Sequence, residues 1–536
     1  MFVRTKTRIN KDGSKVEYLQ IVENTRVNGK VRQRVICTLG RLDQLQEEGQ
    51  LERLVEGIVR FTKEQALMLQ AEDTLCVEWS KELGLDLVFR RIWEQCGLKE
   101  IIEAKVSKTK IEYNVAEAVF AMVLNRLSDP MSKLGVAEWA ANDVYDPRFE
   151  ELKLWHYYRA LDFLSEHKDE MEQELFFRGR NLFNQSVDLV FFDTTSVYFE
   201  GPTAAGELCC YGYSKDKRPD RVQVIIGLLI DQDGIPIGHE VLPGNTADVE
   251  AFLSMLRSCK ERFNLRRVVI VGDRGVVSEK TIRAVEEAGY EYIFGVRMRR
   301  SKEVKEEVIA RAGRYQEVEE NLKVKNVVVE GKRYVICYNP EEARREAEAR
   351  QEIIEGLKKK IAAQGIKGLV GNRGYARYLK VNRDAVEINE EAIQEEARYD
   401  GKYILKTNTG LPAAEVALAY KQLWMVERAF REVKSNLEIR PMYHWTESRI
   451  RGHIMVCFLA FYLEMVLRKR LKEAACDASY PQVIKDLSRL RATKIVNGKR
   501  VAIVRSELCG DAHLAFKAVG MQVPSRVLYE NMGHHR

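Results

Sequence analysis

The sequence is short of the features that mark secreted, membrane or disulfide-stapled proteins. Its ten cysteines are scattered through 536 residues, and only Cys209 and Cys210 lie close together. No CxxC pair or Cys/His zinc spacing occurs, so buried reduced thiols are expected in place of disulfides or structural zinc. The opening MFVRTKTRINKDG has no apolar segment of the signal-peptide kind. The longest apolar run, IMVCFLAFYL from Ile454 to Leu463, is far short of the roughly 20 residues that span a bilayer, and Glu464 ends it. A cytoplasmic chain is the expectation. Proline is sparse at 11, and with 45% hydrophobic and 31% charged residues this describes a folded soluble protein. A large excess of one charge is also missing. The net charge of +6 points only weakly to a polyanionic partner, because the bases must also be concentrated somewhere. No helix-turn-helix or zinc finger stands out in residues 1 to 170.

The length predicts several domains. Residues 1 to 41 carry ten Lys/Arg against three Asp/Glu, and alternating pieces such as VEYLQIV and KVRQRVICTLG read as short strands. Residues 1–60 are therefore expected to form a small basic β-rich domain that contacts nucleic acid, although a solvated surface would read the same way. Over 61–180 the periodicity is helical, as in VAEAVFAMVLNRL and WHYYRALDFL. Arg126, Lys133 and Arg159 there either face a phosphate backbone or are simply solvated.

From Val187 the pattern changes to α/β. Three strands (187–199, 221–231, 234–242) precede a helix (246–263), a strand (266–273), a helix from Ser278 and a strand (290–296). Hairpin-joined strands followed by helix and strand alternation predict a mixed sheet rather than a doubly wound one. The charge-rich residues 297–413 read as an insertion subdomain. Residues 414–475 resume the core with long helices at 415–434 and 448–471, and 476–536 form a C-terminal region.

Asp193 lies inside the apolar run LVFFDTTSVYF, and Asp273 ends the strand VVIVGD. A buried, unpaired carboxylate is costly, so Asp193 needs either a partner or a metal. Ligands collect at the carboxyl ends of strands, and the two aspartates become neighbours if the first and fourth core strands are adjacent. A strand-end Asp273 can also be just a helix cap. Two close carboxylates favour a hard divalent cation, Mg²⁺ or Mn²⁺. A third acid is available on YKQLWMVERAFREVK, where Tyr420, Glu427 and Lys434 are spaced by sevens and Arg431 lies one turn beyond Glu427. A surface Glu427–Arg431 salt-bridge ladder is the alternative reading of that spacing. Glu432 sits about 140° around the helix from Glu427 and should point elsewhere.

The segments VFFDTTSVYFE, GYSKDKRPDRVQVIIGLLID, LPGNTAD, VVIVGDRG, YDGKYILKTN and YKQLWMVERAFREVKSNLEIRPMYHWTESRIRGHIMVCFLAFYL, together with VRQRVICTLG and NRLSDPMSKL, carry a family resemblance. The chain resembles the IS4-type DDE transposases, and more closely their IS1634-like branch. The resemblance implies a ribonuclease H-like catalytic core with a mixed five-stranded sheet, interrupted by the insertion and preceded by the basic β domain and the helical domain. Asp193, Asp273 and Glu427 would be its catalytic triad, holding two Mg²⁺ ions for which Mn²⁺ can substitute. The family's Tyr-x2-Arg-x3-Glu-x6-Lys signature is matched at Tyr420, Glu427 and Lys434. Leu423 stands in the arginine position, with Arg431 as a possible replacement.

The implied chemistry is cleavage at transposon ends, freeing a 3′-OH that attacks target DNA or the opposite strand. Lys434, Arg431 and Tyr420 would hold phosphate. The turn carrying Ser214, Lys215, Lys217 and Arg218 would contact the backbone of the duplex. Asn245 and Asp248 would support the site from behind, unless Asn245 or Thr246 merely caps a helix. Trp424 would stack on a displaced base, or else lie in the core. The partners implied are double-stranded DNA, comprising the terminal inverted repeats and the target, and a second copy of the chain. The rival readings are an endonuclease without strand transfer, an inactive DNA-binding protein, and a glycosidase with a metal-free carboxylate pair.

Overall fold

The structure, a computed structural model, describes every residue except 1, 11–13, 28–29, 48–49, 52, 55–74, 180–187, 201–205, 216, 264–267, 276, 365–375, 382–385, 436, 441, 498–499 and 532–536. The chain divides into two units. One comprises Met1–Lys81, Leu490–Glu507 and Pro524–Arg536, and the other Glu82–Arg489 and Leu508–Val523.

In the first unit, β1 (Phe2–Ile9), β2 (Lys15–Val27) and β3 (Lys30–Arg41) form an antiparallel meander. Almost all of β1 is exposed, while Val16, Leu19 and Val22 of β2 are buried. A strand further on, β4 (Leu75–Glu82), belongs to a separate four-stranded sheet whose other members come from the far end of the chain.

The second unit begins with a helical layer. The helix Val115–Ser128 is buried along nearly its whole length, including Glu117, Asn125 and Arg126, so it runs through a core instead of lying on it. It packs against the helices Leu154–Gly179 and Glu447–Glu473. Buried Arg90 joins the layer by binding Asp86, Glu117 and Asp146, which satisfies charges that would otherwise be expensive to bury. The Glu447–Glu473 helix contains the apolar run Ile454–Leu463 and, at 27 residues, is long and apolar enough to cross a membrane. Its apolar residues are buried inside the unit, as in the core helix of a soluble domain.

The sheet of this unit is mixed. β5 (Asp188–Tyr198), β6 (Gln223–Asp231) and β7 (Pro236–Pro243) are antiparallel neighbours, whereas β8 (Val268–Gly272) pairs parallel with β5 and β9 (Glu291–Gly295) parallel with β8. Val190 and Phe192 of β5, Phe252 and Met255 of the helix Asp248–Ser258, and Val285 of the helix Glu279–Glu287 form one core with Phe294.

Two expectations need correction. The sheet has nine strands instead of five: β10 (Gln316–Glu319), β11 (Leu322–Val329), β12 (Lys332–Tyr338) and, after the short hairpin of β13 (Leu379–Val381) and β14 (Val386–Ile388), β15 (Lys402–Thr407) extend it. The reason is that β9 would otherwise be an unpaired edge, and β15 pairs with it antiparallel, Leu405 opposite Gly295. The single helix expected at 415–434 is two, Ala413–Lys421 and Trp424–Ser435. Between them the bonding tightens, Leu423 N–H to Tyr420 O and Val426 N–H to Leu423 O, each at 3.0 Å.

The chain then returns to the first unit, where β16 (Arg491–Asn497), β17 (Arg500–Arg505) and β18 (Val527–Asn531) complete the sheet in the order β18-β17-β16-β4.

Candidate active site

The register of the parallel pair β5·β8 sets the centre. Phe191 is opposite Val271, so continuing two residues along each strand brings Asp193 level with Asp273, just past the end of β8. Neighbouring strands run about 4.8 Å apart. The adjacency of these strands, on which the pairing of the two aspartates depended, is therefore present. Asp193 follows the buried Phe191 and Phe192 and is itself half-buried, and its Oδ1 accepts the Thr194 N–H at 2.7 Å. Burial pushes its carboxyl up to about 6; Asp248 and Asp273 push in the same direction, and Lys215 opposes them.

Asp273 is exposed and accepts the Tyr420 hydroxyl at 3.1 Å. Tyr420 reaches it across Gly295, where a Cβ would come within 2.3 Å of the hydroxyl oxygen, so the glycine makes room for the tyrosine. Burial, and then the neighbouring Asp273, raise the Tyr420 pKa well above its ordinary value, which keeps the hydroxyl a donor.

A second cluster adjoins the first. Lys215 Nζ donates to Thr194 O at 2.8 Å and to Thr194 Oγ1 at 2.6 Å, and lies 3.2 Å from Asp248 Oδ1. Thr194 Oγ1 in turn donates to Asp248 Oδ1 at 2.6 Å. The turn that carries Lys215 is fastened from beneath: Gln223 Nε2 donates to Tyr213 O at 3.1 Å and to Gly244 O at 2.8 Å. Gly244 permits this closeness, since a Cβ there would fall 2.0 Å from Gln223 O. Lys215 thus points into the acidic cluster. Arg218 is occupied by Asp220 at 3.0 Å and Glu200 at 3.6 Å, and its guanidinium lies over the Tyr198 ring. Lys217 is exposed, in the left-handed region at φ 57°, and Asn245 is exposed on the turn before Asp248.

Glu427, Arg431 and Lys434 sit at helical spacing on Trp424–Ser435, while Tyr420 belongs to the preceding helix. The seven-residue relation of Tyr420 to Glu427 therefore crosses the tightened turn and does not define one continuous face. The Glu427 side chain lies outside the described set. Arg431 is exposed and Lys434 half-buried. Glu432 faces away, 3.2 Å from Arg468 and 3.7 Å from Arg428. Trp424 is 51% exposed, so it is not a core residue, and the Arg428 guanidinium lies 5.9 Å from its ring centre.

The Thr194–Lys215–Asp248 contact was not foreseen as a unit. Its signal was the hydroxyl run after Asp193, whose Thr194 and Ser196 receive Lys215 through its side chain and its backbone N–H respectively. Among the described residues no group of three or more His, Cys, Asp or Glu forms a metal cage. Asp193 and Asp273 nonetheless suit a hard cation. Their oxygens are the right donors; burial chiefly, and the neighbouring Asp248 and Asp273 to a smaller extent, raise the Asp193 carboxyl, and a bound cation would offset both.

The mixed sheet thus sets Asp193, within β5, beside Asp273, just past the end of β8. The family model described as "Transposase DDE domain" matches residues 186–463, just over half of the chain, and that domain implies a ribonuclease H-like fold. The model described as "IS1634 family transposase, N-terminal domain" matches residues 3–73. The chain belongs to the IS1634 family of DDE transposases and is a DNA transposase. DDE transposase domains generally use divalent metal ions. No curated protein matches the sequence. A solved structure, a cryo-EM structure of the piggyBac transposase synaptic complex with hairpin DNA, is similar over 76% of this chain and 79% of that one. Its identity is 9% and its TM-score 0.39, too distant to add to the assignment.

Proposed function

We propose that this transposase cuts the ends of its own insertion sequence and joins them to target DNA by a cut-and-paste route, with Asp193, Asp273 and Glu427 as the catalytic acids. The observation that carries this reading is the β5·β8 register, which sets Asp193 level with Asp273. Mg²⁺, or Mn²⁺ in its place, held as two ions by these carboxylates would supply Lewis acidity and a nucleophilic oxygen at neutral pH. Tyr420 holds the Asp273 carboxylate in one orientation. Lys215 supplies a positive charge that keeps Asp193 more readily ionised than burial alone would allow. Arg431 and Lys434 follow Glu427 along one helix and receive the phosphates flanking the cut.

Lys217 adds a backbone contact on the exposed turn, and Trp424 offers an open ring for stacking. Arg218 contributes to the DNA backbone only if it exchanges its carboxylate partners for phosphate. Asn245 and Asp248 support the site from behind, Asp248 through Thr194 and Lys215. Residues 1–60 and 61–180 bind the terminal inverted repeats, and two copies of the chain act together on a pair of ends, within the wider IS4 group. The test is strand transfer from pre-cut ends in Mg²⁺. Target-linked product is expected, whereas cleavage without any joined product would reduce the protein to an endonuclease.

A further inference from the structure

Outside the carboxylate site, the second unit contains a cleft of about 460 Å³ lined by the deeply buried Lys133. Lys133 is 2% exposed, and its ammonium finds no hydrogen-bond partner among the described residues. It opens the helix Lys133–Asn142, whose N-terminus, capped by Ser132 through the Gly135 N–H at 3.1 Å, lines the same cleft. Helix N-termini favour anions. Arg126, 6% exposed, lies beside it and is held in place by donating to Met131 O at 2.7 Å and Glu438 O at 3.3 Å.

The opposite wall brings further bases. Arg449 and the buried His453 come from the helix Glu447–Glu473, and Arg440 and His444 from the segment before it. The only acid among the lining residues is Glu438, which is exposed. Asp162, behind this wall, is engaged by Ser448 at 2.6 Å and Arg449 at 3.8 Å. Burial, and then Arg126, push Lys133 down to about 7, and burial followed by Lys133 pushes His444 down to about 3. Among the described residues no acid pairs with this buried ammonium, a costly arrangement unless an anion completes it. The wall is tied to the strand that carries Asp193: Met442 N–H donates to Tyr198 O at 3.1 Å, and Glu200 N–H to Met442 O at 3.2 Å.

We infer that this cleft is a phosphate-binding site, with Lys133 and Arg126 at its floor and Arg449 at its rim, that receives a phosphate group away from the catalytic acids. The inference rests on the proposed function only for the source of that phosphate, a DNA strand held near β5. Tyr443 and Trp445, both exposed, line the same cleft.

The test uses the full chain in metal-free buffer, where no catalysis takes place, and inorganic phosphate as the probe. Against chloride of equal ionic strength, about 10 mM phosphate should raise the melting temperature by about 2 °C or more. In Lys133→Met that rise should be lost, while the variant in chloride alone melts at or above the parent because an unpaired buried charge is gone. Lys133→Gln provides the same comparison if the methionine variant folds poorly. An equal phosphate-dependent rise in parent and variant would overturn the inference, as would no rise in the parent. The salt dependence of duplex binding identifies the source. A log–log slope reduced by about one in Lys133→Met assigns the site to a DNA phosphate. An unchanged slope with the phosphate effect abolished assigns it to a free phosphate or nucleotide. Failure of end cleavage would count against the proposed function and leave these readings intact.

Discussion

Asp193 is held half-buried behind two phenylalanines with Asp273 and Asp248 nearby, and its titration follows from that setting. Its carboxyl, raised from the usual 3.8 to about 6, binds its proton more tightly in the folded chain than in the unfolded one. The stability this contributes is complete below about pH 4 and is lost as the pH rises through 6. In metal-free buffer Asp193→Asn should therefore match the parent near pH 4 and exceed it at pH 7 by about 2 kcal/mol, allowing for solvent screening. Chemical denaturation at the two pH values checks this, and equal stability at pH 7 would contradict it. Lys215 acts in the opposite sense: Lys215→Met should move the acid limb of the cleavage pH profile upward while DNA binding persists. Asp193 and Asp273 were legible in the sequence because each interrupts or ends an apolar strand. The inward turn of Lys215 was not, since a basic GYSKDKRPD turn reads equally well as a surface that meets DNA.

At the scale of elements, the site depends on strand order and on one glycine. Gly295→Ala would put a methyl group where the Tyr420 hydroxyl now lies. Tyr420→Phe should slow cleavage about tenfold, the worth of a hydrogen bond to a charged group. Gly295→Ala should do similar damage, and the double variant should be little worse than either because both act through one contact. Cleavage rates of the four proteins test this; fully additive losses would separate the two residues. The core strands β5 to β9 were readable from apolar alternation, and each is found within two residues of its expected bounds. The break after Lys421 was not, because no glycine or proline marks it and the apolar period continues through Leu423 and Val426. The extra strands of the sheet were also hidden. Edge pairing such as β9 with β15 depends on backbone groups that the sequence does not distinguish.

In the molecule as a whole, buried charge networks hold the helical layer to the sheet. Glu172, on the helix Leu154–Gly179, accepts the His239 N–H of β7 at 3.0 Å and lies 2.6 Å from Arg262. Despite its burial, the surrounding Lys168, His239 and Arg262 hold its carboxyl down at about 2. Glu172→Gln should cost about 3–5 kcal/mol at pH 7 by leaving those bases uncompensated. The loss should fade only as the pH falls through about 4.5 toward 2, where the parent's own carboxylate is protonated. Denaturation at neutral and acid pH checks both statements. The family was legible from its motifs, and Arg126 and Lys133 already read as bases that either face phosphate or are solvated; their meeting with Arg449 in one cleft was not legible, because it arises only through the packing of three helices. The central claim is that Asp193, Asp273 and Glu427 act together on DNA. Its most direct test is cleavage of a duplex bearing the terminal repeats that flank the coding sequence, with Mg²⁺ or EDTA, by the parent and by Asp193→Asn, Asp273→Asn and Glu427→Gln. The account predicts Mg²⁺-dependent cutting by the parent and none by any variant, with end binding retained in all four. Cleavage by any one of the variants at the parental rate would contradict it.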